Sequence, residues 1–266
     1  MVDVLNAAFH WAIIRGELEF NPVAPIKPTL VKRIQKMRQK SANEADVDVL
    51  SVEEQQAFEK EASLINPHNG EMKYAAGLYG LLLLHTGMRC GEMLALRWKD
   101  VDWKDGYLTI EKSRSMAKNR DNLNACNNKY VMVEGTTKNE KARKINLTEK
   151  ALCILNHIKL HSSSNCDEEL IVKTRTENPN TATNLEHRMV TIFTNAGLKD
   201  LSSKLHIFRR TFATRMYEKG VRVKEIAAYI GDLESTTERY YIAVRKKVKE
   251  GNGIHQVVMV PGADKG

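Results

Sequence analysis

The side chains best suited to chemistry in this 266-residue chain are a phenol, two guanidiniums, an imidazole and a lysine, spread over four stretches. YIGDLESTTERYYIAVRKK (229–247) holds adjacent tyrosines, Tyr240 and Tyr241, between an acidic turn and a basic run. A tyrosine hydroxyl, with an ordinary pKa of about 10, is a poor nucleophile at neutral pH and needs cations and a general base beside it. The other stretches carry such groups. In LLLLHTGMRCGEMLALRWKDVD (81–102), Arg89 stands where a helix containing Glu92 begins, so its guanidinium adds to unpaired N–H groups in holding an anion. In KLHIFRRTFATRMYEKG (204–220), His206 and Arg209 are neighbours on a helix, with Arg210 close by. Leu205, Phe208, Phe212 and Met216 form a separate apolar stripe that can seat that helix. In EGTTKNEKARKINL (134–147), Lys138 lies at the end of a strand or in a hairpin turn, where it can reach a polyanion or protonate a leaving oxygen. Each stretch also has a plainer reading. Arg89 and Glu92 fit an ion pair across one turn, the histidine helix fits an exposed basic face, and Lys138 fits a solvated turn lysine.

These side chains need a scaffold that makes them converge. Residues 1–16 predict an amphipathic helix with Val4, Leu5, Ala8, Trp11 and Ala12 on one side. It starts without a cap, as the last helix of a longer unit would. Three prolines, then Lys32, Arg33, Lys36, Arg38 and Lys40, then Glu44, Asp46 and Asp48 give 19–48 the composition of a linker and place a boundary near residue 50. Ser51 and Glu54 form a capping box for the next helix. Further helices are predicted over about 71–86, 91–97, 149–161, 182–196, 206–219 and 223–230, and one carrying the tyrosines, capped by Ser235 with Glu238. GYLTIEKS (106–113) and residues 129–147 alternate β-branched and aromatic residues around turns. The class is mainly α with a small antiparallel β-sheet, divided into 1–50, 51–250 and a tail, 251–266.

Hydrophobic residues make up 42% and charged residues 28%, an ordinary globular balance rather than a disordered one. The net charge of +8 fits a polyanionic partner, and equally a protein that is merely basic. Cys90, Cys126, Cys153 and Cys166 show no CxxC spacing, which argues against a zinc site or disulfide scaffold and suits a reducing compartment. The apolar run 74–84 is too short to span a bilayer, and no Lys or Arg precedes Arg15, so no signal peptide is read and the expected location is cytoplasmic.

The order of the stretches says more than any one of them. Arg89 in TGMRCGEMLALRW, Lys138 in a hairpin, His206-x-x-Arg209 and Tyr240 after STTER resemble the boxes of the tyrosine recombinases, the integrases of phages and conjugative transposons, over about residues 50–245. NAAFHWAIIRGELEFNPV (6–23) is similar to the final helix of that family's core-binding domain. The resemblance implies the tyrosine recombinase catalytic-domain fold for 51–250, with the end of a core-binding domain plus linker in 1–50. It implies a site-specific recombinase that integrates or excises a mobile element through a 3′-phosphotyrosyl intermediate. Arg89 and Arg209 would hold the scissile phosphate, and Lys138 would protonate the departing 5′ oxygen. His206 would hydrogen-bond the phosphate and help move the tyrosine's proton, Tyr240 would attack phosphorus, and Glu92 would orient the site. No cofactor is implied, neither ATP nor metal, because the covalent link stores the bond energy. The implied partners are double-stranded DNA attachment sites, further copies forming a tetramer on DNA, and an accessory DNA-bending or excision factor, with no membrane. The implied setting is the nucleoid, for a bacterial or phage-encoded protein. Arg210, Lys141, Arg143 and Arg239 are expected DNA contacts, within basic segments at 32–40, 112–120, 138–144, 204–222 and 239–249. Val257, Val258, Met259 and Val260 in the tail fit packing on a neighbouring protomer or on their own domain.

Two positions depart from the family's pattern. Arg210 stands where it usually has the second histidine of His-x-x-Arg-His, and Gly231-Asp232 where it has Gly-His or a tryptophan equivalent. Asp232 thus joins the implied catalytic set by position, although an ionised carboxylate only accepts hydrogen bonds and repels a phosphate. GDLESTTERY is also one residue shorter than the common spacing. Thr-Thr-x-x-Tyr selects Tyr240, whereas a count from Gly231 selects Tyr241. Two rival functions stay open: a catalytically weak or silent DNA-binding protein of the same fold, and a type IB topoisomerase-like relaxing enzyme.

Overall fold

The computed structural model describes residues 2–26, 28–29, 49–68, 70–118, 130–136, 142–162, 166–174, 176, 178–199, 201 and 205–238. Lys138, Lys141, Arg239, Tyr240, Tyr241 and the tail from residue 251 lie outside them. The chain divides into two units, Met1–Val47 and Asp48–Gly266. In the first, α1 (Val2–Ile14) leaves Val4, Leu5 and Trp11 of its apolar stripe exposed. The Asn21 amide ties the chain beyond it back to Asn6, donating to the backbone and side-chain oxygens at 3.2 Å.

The second unit is built around α3 (Ala75–Thr86), onto which α2 (Val52–Ala62), α5 (Glu149–Leu160), α6 (Ala182–Asn195) and α7 (His206–Glu218) pack. Leu81, Leu82, Leu83 and Leu84 are all buried, as a helix apolar around its whole circumference requires. It begins at Ala75 rather than 71, because Met72 pairs with Ile65 in an antiparallel bridge and the Lys73 N–H donates to Leu64 O at 2.8 Å. The expected capping box opens α2: Ser51 Oγ accepts from the Glu54 N–H at 3.1 Å, and Glu54 Oε2 from the Ser51 N–H at 2.7 Å. Phe58, Phe193 and Phe208 bring α2, α6 and α7 together in tilted ring pairs with centroids 5.3, 4.8 and 5.9 Å apart. Further along α7, Phe212 and Met216 pack with Ile226 and Ile230 of α8 (Val223–Ile230). The apolar stripe thus fastens α7 from behind and along its length, leaving His206 and Arg209 to another face.

The small antiparallel sheet is present, and a second one accompanies it. Strands β1 (Val101–Asp102), β2 (Tyr107–Ile110) and β5 (Arg143–Asn146) form the first, in the order β1-β2-β5, with buried Leu108 opposite buried Ile145. Between β2 and β5 in the chain come β3 (Lys112–Lys118) and β4 (Tyr130–Thr136), paired with each other. β3 lies against α4 (Cys90–Ala95) so closely that a Cβ on Gly91 would meet Ser113 Oγ at 2.6 Å and Arg114 O at 2.9 Å. Residues 234–238 are helical. That turn starts ahead of the expected Ser235–Glu238 box, because Leu233 O already accepts the N–H groups of Thr236 and Thr237, both at 3.0 Å. Among the described residues no helix is long and apolar enough to cross a membrane.

Candidate active site

Two helix ends build the centre. α3 stops at Gly87, which is left-handed at φ 63° and donates its N–H to Leu83 O at 2.9 Å. A Cβ there would lie 2.3 Å from Phe212, so both conformation and space require glycine. Its carbonyl accepts from Arg209 Nη1 at 2.8 Å, and two residues on, Arg89 caps α4. α8 stops at Gly231, φ 71°, in a Schellman turn: the Gly231 N–H reaches Ala228 O at 3.3 Å and the Asp232 N–H reaches Ala227 O at 2.9 Å. The Gly231 carbonyl accepts from Arg89 Nη2 at 2.6 Å. Each arginine therefore rests on the capping glycine of a helix. The second turn delivers Asp232 between them, with Oδ1 2.6 Å from Arg89 Nη2 and Oδ2 2.6 Å from Arg209 Nη2.

Behind Arg89 lies Glu92, only 1% exposed. It accepts from the Arg89 N–H at 2.9 Å and Nη1 at 2.8 Å, and from Arg143 Nη1 and Nη2 at 3.0 and 2.6 Å. Arg89 thus makes the ion pair across one turn and also holds the Asp232 carboxylate. Arg143 also donates Nε to Tyr229 O at 3.1 Å, which ties β5 to α4 and α8. Strand alternation puts Arg143 on the same inward face as Ile145, and this signal was in the sequence. Burial alone would raise the Glu92 pKa; the hydrogen bonds and charge of Arg143, then of Arg89, hold it below the usual glutamate value.

Burial likewise works against the Asp232 carboxylate, and Arg209 and Arg89 outweigh it, so its pKa lies below the ordinary value. Arg209, 5% exposed, has its pKa lowered by burial despite Asp232. His206 opens α7 as an exposed residue. Partial desolvation of its ring, followed by the charges of Arg209, Arg210 and Arg89, holds its pKa below the ordinary histidine value, with Asp232 pulling the other way. All four charges therefore lie within electrostatic reach of one imidazole. Among the described residues, no group of three or more His, Cys, Asp or Glu could hold a metal ion. The structure brings Arg89, Glu92, Arg143, Arg209 and Asp232 into one network beside His206, with half-buried Arg210 next along α7. The carbonyls of Gly87 and Gly231 are partners that no residue type could announce.

The sequence model described as the phage integrase family matches residues 55–247, which include this whole network. The chain belongs to that family. The "Tyrosine recombinase XerC-like" protein of Caldanaerobacter subterraneus subsp. tengcongensis is 25% identical over 262 residues, covering 93% of this chain and 62% of that protein. The chain thus spans less than two thirds of that relative's length. Among solved structures, the Tn1549 transposon integrase in complex with a circular intermediate DNA is similar with a TM-score of 0.62 at 16% identity, over 94% of this chain and 78% of that one. A lambda integrase dimer bound to a core site gives 0.55 at 19% identity, over 97% and 75%. XerA recombinase gives 0.53 at 18% identity, over 78% and 64%. Mainly helical with small antiparallel sheets, the fold is that of the tyrosine recombinase catalytic domain.

Proposed function

We propose that this phage integrase family member is a site-specific DNA recombinase that cuts and rejoins strands through a phosphotyrosyl link. One observation carries the reading: Arg89 and Arg209, from different elements, each place an Nη 2.6 Å from a separate oxygen of one carboxylate. Two guanidiniums set to share one anion match the non-bridging oxygens of a phosphodiester and the charge that grows on them in the transition state. Tyr240 Oη forms a bond to phosphorus while the bond to the 5′ oxygen breaks. The phenolic proton passes to His206, whose lowered pKa keeps it neutral and able to accept near pH 7. Lys138 gives a proton to the departing 5′ oxygen. A 5′ hydroxyl then attacks the link, restores the phosphodiester and returns the tyrosine.

The partner in this reading is double-stranded DNA at the attachment sites of a mobile element, in the cytoplasm at the nucleoid. The chain assembles there as a tetramer, with an accessory DNA-bending or excision factor. The Tn1549 transposon integrase has been solved in complex with circular intermediate DNA and with transposon right end DNA. Residues 1–50 would supply the end of a core-binding domain plus linker. Tyr240→Phe should abolish covalent capture of a nicked duplex while leaving duplex binding intact; capture by the variant would exclude Tyr240 as nucleophile. Exchange between two specific duplexes separates a recombinase from a relaxing enzyme. A second reading, a weak or silent DNA-binding protein, is favoured by Asp232 lying on both guanidiniums, and absence of capture by the unaltered chain would establish it.

Arg143 acts in this scheme by holding Glu92, not by touching DNA. The double variant Glu92→Gln/Arg143→Met removes the pair, while Asp232 and the Gly231 carbonyl still hold Arg89. Its DNA affinity should keep the same salt dependence, whereas loss of a phosphate contact lowers the slope of log K against log salt by about 0.9.

A further inference from the structure

The position of Asp232 goes further than a departure from the family's pattern, provided Arg89 and Arg209 are the phosphate clamp of the reading above. Its two carboxylate oxygens are divided one to each guanidinium at 2.6 Å, as the non-bridging oxygens of a phosphodiester would be. The side chain is 19% exposed, so most of the water that would weaken these bonds is gone. Its placement is a backbone matter. The Schellman turn fixes the Asp232 N–H on Ala227 O, and Gly231 just before it holds Arg89 through its carbonyl. In such turns the residue at this place commonly makes an apolar contact back onto the helix. Here it carries a charge and meets the two arginines.

We propose that Asp232 is an internal occupant of the clamp: in the resting protein its carboxylate stands where the scissile phosphate will stand, and DNA must displace it. The exchange trades two charge-assisted hydrogen bonds for two of the same kind, so a free monovalent or divalent anion gains little by entering. A phosphodiester of a duplex already held by other backbone contacts gains more, because its local concentration is high. Asp232 thereby makes the clamp respond to bound DNA and not to loose phosphate. On displacement the turn at 231–232 loses its fastening to Arg209.

The test uses the full chain, inorganic sulfate as the probe, and a nicked duplex in parallel. Asp232→Asn keeps the shape and removes the charge, and should bind sulfate at least about tenfold more tightly than the unaltered protein. Adding Arg209→Lys to that variant should remove the gain, which locates the anion in the clamp. A second measurement needs no substitution: the nitrogen-15 side-chain signals of Arg89 and Arg209 should stay put through a millimolar sulfate titration and shift when duplex is added. Sulfate affinity equal in the unaltered and Asn proteins, or arginine signals that follow sulfate in the unaltered protein, overturns the proposal. The two readings separate cleanly. If sulfate affinity rises in the variant and neither protein captures the nicked duplex, the occupied clamp stands and the recombinase falls. If the unaltered protein captures the duplex and the sulfate affinities match, the recombinase stands and the occupied clamp falls.

Discussion

Glu92→Ala is expected to lower the stability of the second unit by about 3–5 kcal/mol, the usual consequence of removing one partner from a buried ion pair. The carboxylate is 1% exposed and accepts from both Arg89 and Arg143. Without it, Arg143, 12% exposed, faces the cavity with Nη1 and Nη2 deprived of the acceptor that justified burying them. Domains hold about 5–15 kcal/mol in all, so the loss should be plain in urea unfolding and as a fall in Tm of about 2–4 °C per kcal/mol. Glu92→Gln keeps the shape and should cost less. A loss below about 1 kcal/mol in the alanine variant would mean that the arginines find other acceptors at no great cost, and Glu92 would not be what holds them. The acid limb supplies a second check. The folded pKa of Glu92 is depressed, so the folded state binds its proton less readily than the unfolded chain does. Its contribution is complete above the unfolded value of about 4.3 and is lost as pH falls through the lower folded value. Glu92→Gln should therefore flatten the decline in stability below about pH 4.

Where the sequence was legible, the reason is local. Helices α5 to α8 follow from apolar spacing and end signals within each segment, and Gly87 and Gly231 mark the stops of α3 and α8 because only glycine takes the left-handed cap cheaply. Of the candidate site, Arg89, His206 and Arg209 were legible as residue types in order, since holding an anion such as the Asp232 carboxylate needs arginines whatever holds them. Its internal connections were not. β3 reads KSRSMAK, with no β-branched residue, so it passed for a basic surface segment; pairing with β4 and packing on Gly91 make it a strand. Arg143 stands in the run KARK, where charge suggests solvent, yet strand alternation turns it inward and Lys144 outward. The contacts of Asp232 depend on where α8 ends relative to α4 and α7, a tertiary fact that no window of sequence contains.

If the chain is the recombinase proposed above, Arg209→Lys should leave duplex binding within a few-fold and lower the single-turnover rate of strand cleavage about 10³-fold. The two effects part because they draw on different contacts. Affinity is spread over many phosphates along the duplex, and one buried cation contributes little of it. Cleavage depends on donors aimed at one phosphorus, where charge develops only in the transition state. A lysine keeps the charge but not the fork. Arg209 uses Nη1 on the Gly87 carbonyl at 2.8 Å to fix the plane that aims Nη2 at the anion. A single ammonium cannot do both, so it settles on the carbonyl or floats toward the anion without direction. Arg210, one residue along the same helix and half-buried, makes the comparison sharp: Arg210→Lys should leave the cleavage rate within about tenfold. Equal losses from both variants would point to the net charge of α7. Retention of cleavage by Arg209→Lys would remove Arg209 from the reacting phosphate altogether, and Asp232 would then be a plain structural partner, because the clamp it occupies would not be one.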